Sequence, residues 1–185
     1  MSSFTRQAIM DAFLRLLEKK SFSKVTVRDI VEECGVNRTT FYYYYQDIYA
    51  IVEDLIASSL SAYAAVLEGD PHLADLRDAR DFAMMHRKAL CGLYASLGHE
   101  KVRRYIFAVM DEPMRHFIER HSKDLVLTEG RKRTVLLLVR EALLGALCLF
   151  LSGDFPVEDG GSFLTLTHGI VRLMLENAAK SGPTS

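Results

Sequence analysis

Residues 26–45, near the N-terminus, carry the side chains in this chain that are best suited to binding a polyanion. The stretch reads TVRDIVEECGVNRTTFYYYY and ends in four consecutive tyrosines. Arginine can donate two hydrogen bonds to guanine, and a threonine methyl group or an aromatic ring can contact the thymine methyl group. Threonine and tyrosine hydroxyls suit phosphate oxygens, which position a protein on DNA without reading its sequence. These residue types therefore indicate contact with double-stranded DNA.

Two short helices joined by a glycine turn must position these side chains. Thr26 is expected to cap the first helix, with Asp29 at its third position, and Gly35 is expected to end it. Asn37 is placed to cap the second helix, and Asp47 to cap the helix that follows. This spacing is typical of a helix-turn-helix, whose second helix enters the major groove.

The predicted helices divide their side chains between a core face and an exposed face. The residues expected to face inward are Ile30, Cys34, Val36, Phe41 and Tyr45. Phe41 and Tyr45 are one helical turn apart and so share a face. Arg38, Thr39, Tyr42 and Tyr43 then point outward, where base edges and phosphates would lie.

On these motifs, residues 5–60 resemble the N-terminal domain of the TetR family of bacterial transcriptional regulators. The match comprises the pattern of the first helix and then residues 26–30, 35–37 and 40–45. Asn37 stands where the family commonly has serine, and both residue types cap helices. Phe41 to Tyr49 also resembles the branch of dihydroxyacetone-kinase operon regulators.

The resemblance implies roles for individual residues at matching positions. It implies phosphate contacts from Thr26, Tyr42 and Tyr44, a contact near the backbone from Arg28, and base or near-base contacts from Arg38, Thr39 and Tyr43. The family usually has a phosphate-binding lysine where this chain has Ile48, and Tyr49 is the candidate to replace that contact. The full predicted DNA-binding set is Thr26, Arg28, Asn37, Arg38, Thr39, Thr40, Tyr42, Tyr43, Tyr44 and Tyr49.

Composition limits how such a surface can be built. The 185 residues are 49% hydrophobic and 25% charged, with a formal net charge of -1. Residues 1–50 hold seven Lys/Arg and six Asp/Glu, so even this region is only slightly basic. DNA binding would therefore depend on the arrangement of charges rather than on their excess.

The remaining bulk features favour a cytoplasmic protein. The three cysteines, Cys34, Cys91 and Cys148, are far apart and form no CxxC pair, so we expect reduced thiols rather than disulfides. No signal peptide is visible at the N-terminus. The apolar segment 134–151 is interrupted by Arg140 and Glu141, which favours a buried helix over a membrane span.

The whole chain is predicted to be all-α: an N-terminal three-helix helix-turn-helix domain, then a C-terminal helical domain for dimerisation or ligand binding. The domains are predicted at residues 1–48 and 69–185, connected by a helix over about 47–68. Further helices are predicted over about 78–97, 100–121, 131–151 and 163–180, with a loop at 153–162. Pro113 is expected to kink or split the second of these.

The apolar pattern of the C-terminal helices predicts that the protein associates with itself. Segments 134–151 and 163–175 are apolar around most of their circumference, so two copies are expected to pack into a four-helix bundle. Candidate lining residues for a ligand pocket are Tyr94, Tyr105, Met110, Met114 and Phe117, although methionines and aromatics at helical spacing more often form a core. We predict no metal site, no cofactor and no enzymatic activity, since neither HExxH nor a nucleophile–base pattern is present.

The function predicted from these features is that of a sequence-specific DNA-binding regulator, a homodimeric repressor that an effector releases from a palindromic operator. One alternative keeps the DNA binding but makes the protein a coactivator, whose C-terminal domain binds a partner protein instead of a small molecule. A stoichiometric protein partner would favour that alternative.

Overall fold

The structure is a computed structural model that describes residues 2–68, 73–152 and 160–180. Over these ranges the chain is helical and contains no strand, which confirms the predicted all-α class. Its helices are α1 (Ser2–Lys19), α2 (Val27–Cys34), α3 (Arg38–Tyr44), α4 (Ile48–Glu68), α5 (Leu73–Met85), α6 (Arg87–Leu97), α7 (His99–His121), α8 (Glu129–Ser152) and α9 (Gly160–Lys180). A short 3-10 turn, Phe22–Lys24, precedes α2 and had no counterpart in the sequence-based prediction.

The chain divides into two compact units. Unit 1 comprises Met1–Ser59 and Phe82–Tyr105, and unit 2 comprises Leu60–Asp81 and Ile106–Ser185. Unit 1 is larger than the predicted helix-turn-helix domain of residues 1–48, because α6 packs against α1 and against the 3-10 turn. The predicted boundary beginning at Glu68 falls at the end of α4, and residues 69–71 lie outside the described residues.

The core of unit 1 is built from the apolar faces of α1 to α4 together with α6. Its side chains with no exposed surface include Ile9, Phe13, Leu14, Ile30, Phe41, Ile51 and Val52. Ala89 and Leu93 extend this core from α6. The predicted inward positions agree with this packing: Phe41 and Tyr45 are buried, and Cys34 and Val36 pack against the core from its edge.

The helix predicted over residues 78–97 is two helices, α5 and α6, that meet at His86. The backbone there has φ -100° and ψ 16°. The hydrogen-bond ladder nevertheless continues, because the His86 N–H donates to Phe82 and the Leu90 N–H donates to His86, both at 3.0 Å. The interruption is therefore a local change of backbone angle. Neither proline nor glycine marks the position, so the sequence carried no signal for it.

Other boundaries differ little from the prediction. Pro113 is buried inside α7, which continues from His99 to His121 and is not split. α9 begins at Gly160, inside the predicted loop of residues 153–162, and residues 153–159 of that loop lie outside the described residues.

One segment among the described residues, Ile48–Ala65 of α4, is long and apolar enough to cross a membrane by length and composition alone. A helix of a water-soluble core can meet the same criterion. In α4 the side chains of Ile51, Val52 and Leu55 are buried in the core of unit 1. Only 17% of this segment is buried.

Candidate nucleic-acid interface

The N-terminus of α2 is held by a reciprocal set of hydrogen bonds. The Thr26 hydroxyl accepts from the Asp29 backbone N–H at 3.2 Å, while the Thr26 backbone N–H donates to the Asp29 carboxylate at 2.8 Å. This capping box confirms the predicted cap and satisfies two amide groups that a helix start otherwise leaves unpaired. α2 therefore begins at a defined residue and presents its first turn in one orientation.

The turn between α2 and α3 is fixed by a glycine and an asparagine. Gly35 ends α2 with φ 72°, a left-handed conformation that residues with a Cβ atom rarely adopt. Two residues later, the Asn37 side-chain oxygen accepts a hydrogen bond from the Thr40 backbone N–H at 2.7 Å and caps α3. The following helix begins in the same way, since the Asp47 carboxylate accepts from the Ala50 N–H at 2.9 Å. All three predicted caps are confirmed.

The inner face of α3 ties this helix to α1 and α4. Phe41 has no exposed surface. The hydroxyl of the buried Tyr45 donates to the Asp54 carboxylate at 2.5 Å, and Arg6 of α1 donates to the same carboxylate from Nε at 2.9 Å. Burial, together with the adjacent Asp54 carboxylate, raises the pKa of the Tyr45 phenol above its ordinary value. Side chains of α1, α3 and α4 thus meet at one carboxylate.

The outer face of α3 is open to solvent. Tyr43 is 79% exposed and Tyr42 is 55% exposed, and both Arg38 and Thr39 are exposed. The tyrosine rings are supported from one side: Tyr42 meets Phe41 edge to face at 5.4 Å, and Tyr43 meets Tyr44 at 5.0 Å. The structure thus brings the four predicted outward residues onto one exposed helix, with two aromatic rings braced by neighbours.

Arg38 differs from Arg28, the other arginine of the helix-turn-helix, in its partners. Its guanidinium makes no hydrogen bond or ion pair with any described residue. Arg28 instead pairs with Glu32 one turn along α2, at 2.7 Å. A DNA contact from Arg28 would compete with that pair, whereas Arg38 can bind a base or a phosphate without giving up a partner.

Basic residues in α1 and directly after it pair with Asp29 and Glu33 of α2. Lys20 lies 2.7 Å from the Asp29 carboxylate, and Arg15 and Lys19 both reach Glu33. The hydrogen bond from Lys20, followed by those from Thr26, lowers the pKa of Asp29 to about 2. These pairs reduce the negative charge that α2 would otherwise present to a phosphate backbone.

Thr26 and Tyr44 are less free than the predicted phosphate contacts require. The Thr26 hydroxyl donates to Asp29 at 2.7 Å, so its proton is already in use. Tyr44 is half-buried and packs against the core, as does part of Val27. The first-turn amides of α2 are the alternative donors, since helix N-termini bind anions through unpaired backbone N–H groups.

Tyr49 lies on the first turn of α4 and contacts two other parts of unit 1. Its ring meets Phe22 edge to face at 5.5 Å, and the Lys101 ammonium lies 3.5 Å from its ring centre. Lys101 comes from the start of α7, far along the chain, and it is not among the residues that the sequence predicts to bind DNA. Only a contact in three dimensions identifies it, because no motif near residue 101 resembles a nucleic-acid site.

The five candidate ligand-lining residues fall into both units. Tyr94 and Tyr105 belong to unit 1, where the Tyr94 hydroxyl lies 2.9 Å from His99 Nδ1 and Tyr105 packs against the core. Met110, Met114 and Phe117 belong to unit 2 and are buried along α7. A ligand site formed by these residues stays a prediction. No group of three metal-binding side chains is close enough to hold an ion within the part of the chain that the structure describes.

Comparison with known proteins identifies the same region. Residues 9–55 match the model of the bacterial regulatory proteins of the tetR family. A stretch of 104 residues, 55% of this chain, is 35% identical to the uncharacterized HTH-type transcriptional regulator YxbF of Bacillus subtilis (strain 168). The chain spans about a quarter of that relative's length, since the match covers 26% of it.

The fold is also found among solved structures. A TetR transcriptional regulator from Streptococcus agalactiae 2603V superimposes with a TM-score of 0.52 at 18% identity, over 91% of this chain and 94% of that one. The resemblance of Phe41 to Tyr49 to the branch of dihydroxyacetone-kinase operon regulators stays a prediction. The family match assigns residues 9–55 to a TetR-type DNA-binding domain, and the fold of the chain resembles that of a solved TetR regulator.

Proposed function

We propose that this protein represses transcription in the cytoplasm as a homodimer, bound to a palindromic operator and released from it by an effector. The outer face of α3 carries the proposal. Arg38 has no partner among the described residues, and Tyr43 is the most exposed aromatic side chain of that helix. An unpaired guanidinium beside exposed rings, on a helix capped at its start, is suited to reading base edges in a major groove.

A dimer is supported by the exposed apolar side chains of α8 and α9. Leu138 and Leu149 on α8 are 52% and 46% exposed, and Ile170 and Leu173 on α9 are 57% and 58% exposed. Leucines and isoleucines in such number on neighbouring helices are costly in water and are typical of an interface. α8 and α9 pack on each other within unit 2, so their exposed sides can form one surface.

The spacing on α8 gives this surface a defined shape. Leu138, Ala142, Gly145 and Leu149 are all exposed and follow one another at intervals of four, three and four residues, which places them on one face of the helix. A Cβ atom added at Gly145 or at Gly169 would touch no other described atom within 4 Å. Two copies packed through this face form a four-helix bundle.

Dimerisation would also compensate for the low net positive charge of the DNA-binding region. One α3 contacts few base pairs, whereas two copies related by a two-fold axis read two half-sites about one helical turn apart. The number of phosphate contacts doubles as well, so a nearly neutral protein gains affinity for DNA from the second copy rather than from an excess of positive charge. Release by an effector requires that the effector bind one arrangement of the two α3 helices more tightly than the other.

Operator selection from a random duplex library tests the proposal. The selected site is expected to be palindromic, and Arg38→Ala is expected to cost about 1–3 kcal/mol of binding free energy with relaxed preference at one base position. Arg133→Ala, an equal change of charge on an exposed residue of α8, serves as the control and should bind as the parent does. A uniform loss on every sequence would make Arg38 a phosphate contact, and no enriched sequence at all would contradict operator binding.

A further inference from the structure

A buried guanidinium lies within the apolar part of α8. The Arg140 side chain is only 18% exposed, and its Nε atom is buried without a hydrogen-bond partner among the described residues. Buried charges are expensive unless every donor is paired, so an incompletely paired arginine in this position requires a physical reason.

The surroundings of Arg140 leave one side of the guanidinium unused. The Phe107 ring of α7 stacks beneath it, with 3.9 Å between the guanidinium carbon and the ring centre. Asp111, one turn further along α7, lies 3.2 Å from Nη1 and has a half-exposed side chain. The partner carboxylate is thus at the Nη1 end, and the edge formed by Nε and Nη2 has no partner among the described residues.

The unused edge has the geometry of an oxyanion site. Nε and Nη2 carry two parallel N–H bonds, which match the two oxygens of a carboxylate or two oxygens of a phosphate. The stacked Phe107 ring supports the guanidinium plane from one face, and the buried Nε at its edge has no partner among the described residues. The neighbouring Met110 and Met114 of α7 are buried and apolar, so a bound acid would meet an apolar wall next to its charged group.

We propose that Arg140 binds the oxyanion of an organic acid, a carboxylate or a phosphate ester with an apolar body, as the anchor of the effector site in unit 2. This inference rests on the effector control in the proposed function. Binding would complete the hydrogen bonding of Nε and would place the acid between α7 and α8, beside Phe107 and Asp111.

A purely structural role for Arg140 gives different expectations. If the guanidinium only joins α8 to α7 through Asp111, then Arg140→Met and Asp111→Asn remove the same ion pair and have similar effects. If it binds an acid, the two substitutions act in opposite directions. Arg140→Met removes the binding group, whereas Asp111→Asn removes a competing negative charge and strengthens the binding of an external anion.

Calorimetric titration of the full chain without DNA provides the test, with hexanoate, hexyl phosphate and neutral hexanamide as matched probes. We expect saturable binding of at least one anion and none of hexanamide. Arg140→Met should weaken the anion dissociation constant at least tenfold, and Asp111→Asn should strengthen it several-fold. Arg133→Met, the same change at an exposed position of α8, should leave it unchanged. Circular dichroism of each variant checks that it is folded.

Three results would overturn the inference: no anion binds, hexanamide binds equally well, or folded Arg140→Met binds the anions as the parent does. Because the titration contains no DNA, its outcome is independent of operator selection. Anion binding with no selected operator would refute the proposed function alone, and operator binding with no anion binding would refute the role of Arg140 alone.

Discussion

Unit 1 and the α8–α9 pair of unit 2 differ in how completely they bury their apolar side chains. In unit 1 a core that includes Phe13, Phe41 and Ile51 is buried within one chain, and the starts of α2, α3 and α4 are capped. α8 and α9 bury Val135, Leu144 and Val171 but leave leucines on their outer sides half exposed. This difference supports the proposed dimer, in which a second copy would cover the exposed sides of α8 and α9.

The largest effect is expected from a cavity in the core of unit 1. Phe41→Ala should lower the free energy of unfolding by about 3–5 kcal/mol, because it removes a fully buried aromatic side chain. Chemical denaturation followed by circular dichroism measures the change. Tyr43→Ala, on the same helix but 79% exposed, is the control and should stay within about 0.5 kcal/mol. Equal losses in the two variants would contradict the assignment of inner and outer faces.

A charge on the exposed face of α8 should break the proposed dimer and leave unit 1 intact. Leu138→Arg is expected to raise the dimer dissociation constant about a hundredfold, equivalent to about 3 kcal/mol, because two desolvated charges would enter an apolar interface. Light scattering after size-exclusion chromatography measures the mass. Val126→Arg makes the same change at a side chain 92% exposed outside α8 and α9, and it should not alter the mass. A dimer that survives Leu138→Arg would place the interface elsewhere.

A smaller change in the free energy of unfolding is expected at the carboxylate where α1, α3 and α4 meet. Tyr45→Phe should cost about 2 kcal/mol of unfolding free energy, because it removes a hydrogen bond to the charged Asp54. The phenol pKa is raised above 10.0 in the folded chain, so folding is favoured below pH 10 and that contribution is lost at higher pH as the unfolded chain ionises first. Denaturation curves at pH 8 and pH 11 should therefore differ less for Tyr45→Phe than for the parent.

The smallest effect concerns the exposed cap of α2. The pKa of Asp29 is lowered to about 2 from 3.8, so the folded state gains stability from its carboxylate above pH 4. This contribution should disappear as the pH falls from about 4 to about 2. Comparison of the parent with Asp29→Asn over that range isolates it, and parallel pH profiles of the two proteins would contradict the cap as its source.

Sequence reasoning succeeded where structure is determined locally. Thr26 and Asn37 each cap a backbone N–H three residues away, and Gly35 supplies a left-handed backbone angle at its own position, so their roles can be predicted from spacing and residue type. It did not find the interruption at His86, which retains its hydrogen bonds and lacks a helix-breaking residue. The approach of Lys101 to Tyr49 was also missed, because that contact joins parts of the chain that are distant in sequence.

The same distinction applies to the interface. The outward positions of Arg38, Thr39, Tyr42 and Tyr43 follow from helical periodicity, and the structure exposes all four. Periodicity does not show whether an individual side chain already has a hydrogen-bond or ion-pair partner within the protein. Arg28 has a carboxylate partner at 2.7 Å, and Arg38 has none among the described residues. That difference depends on rotamers and neighbours, which a pattern of residue types does not contain.

The seven-residue length of α3 has a consequence for redesigning this protein. An isolated peptide of that length would be unstructured in water, because helices shorter than about 12 residues rarely form alone. Its geometry is supplied by the buried Phe41 and Tyr45 and by the Asn37 cap. The outward side chains can therefore be exchanged as a set for those of another regulator, and the recipient fold would present the transplanted residues without being rebuilt.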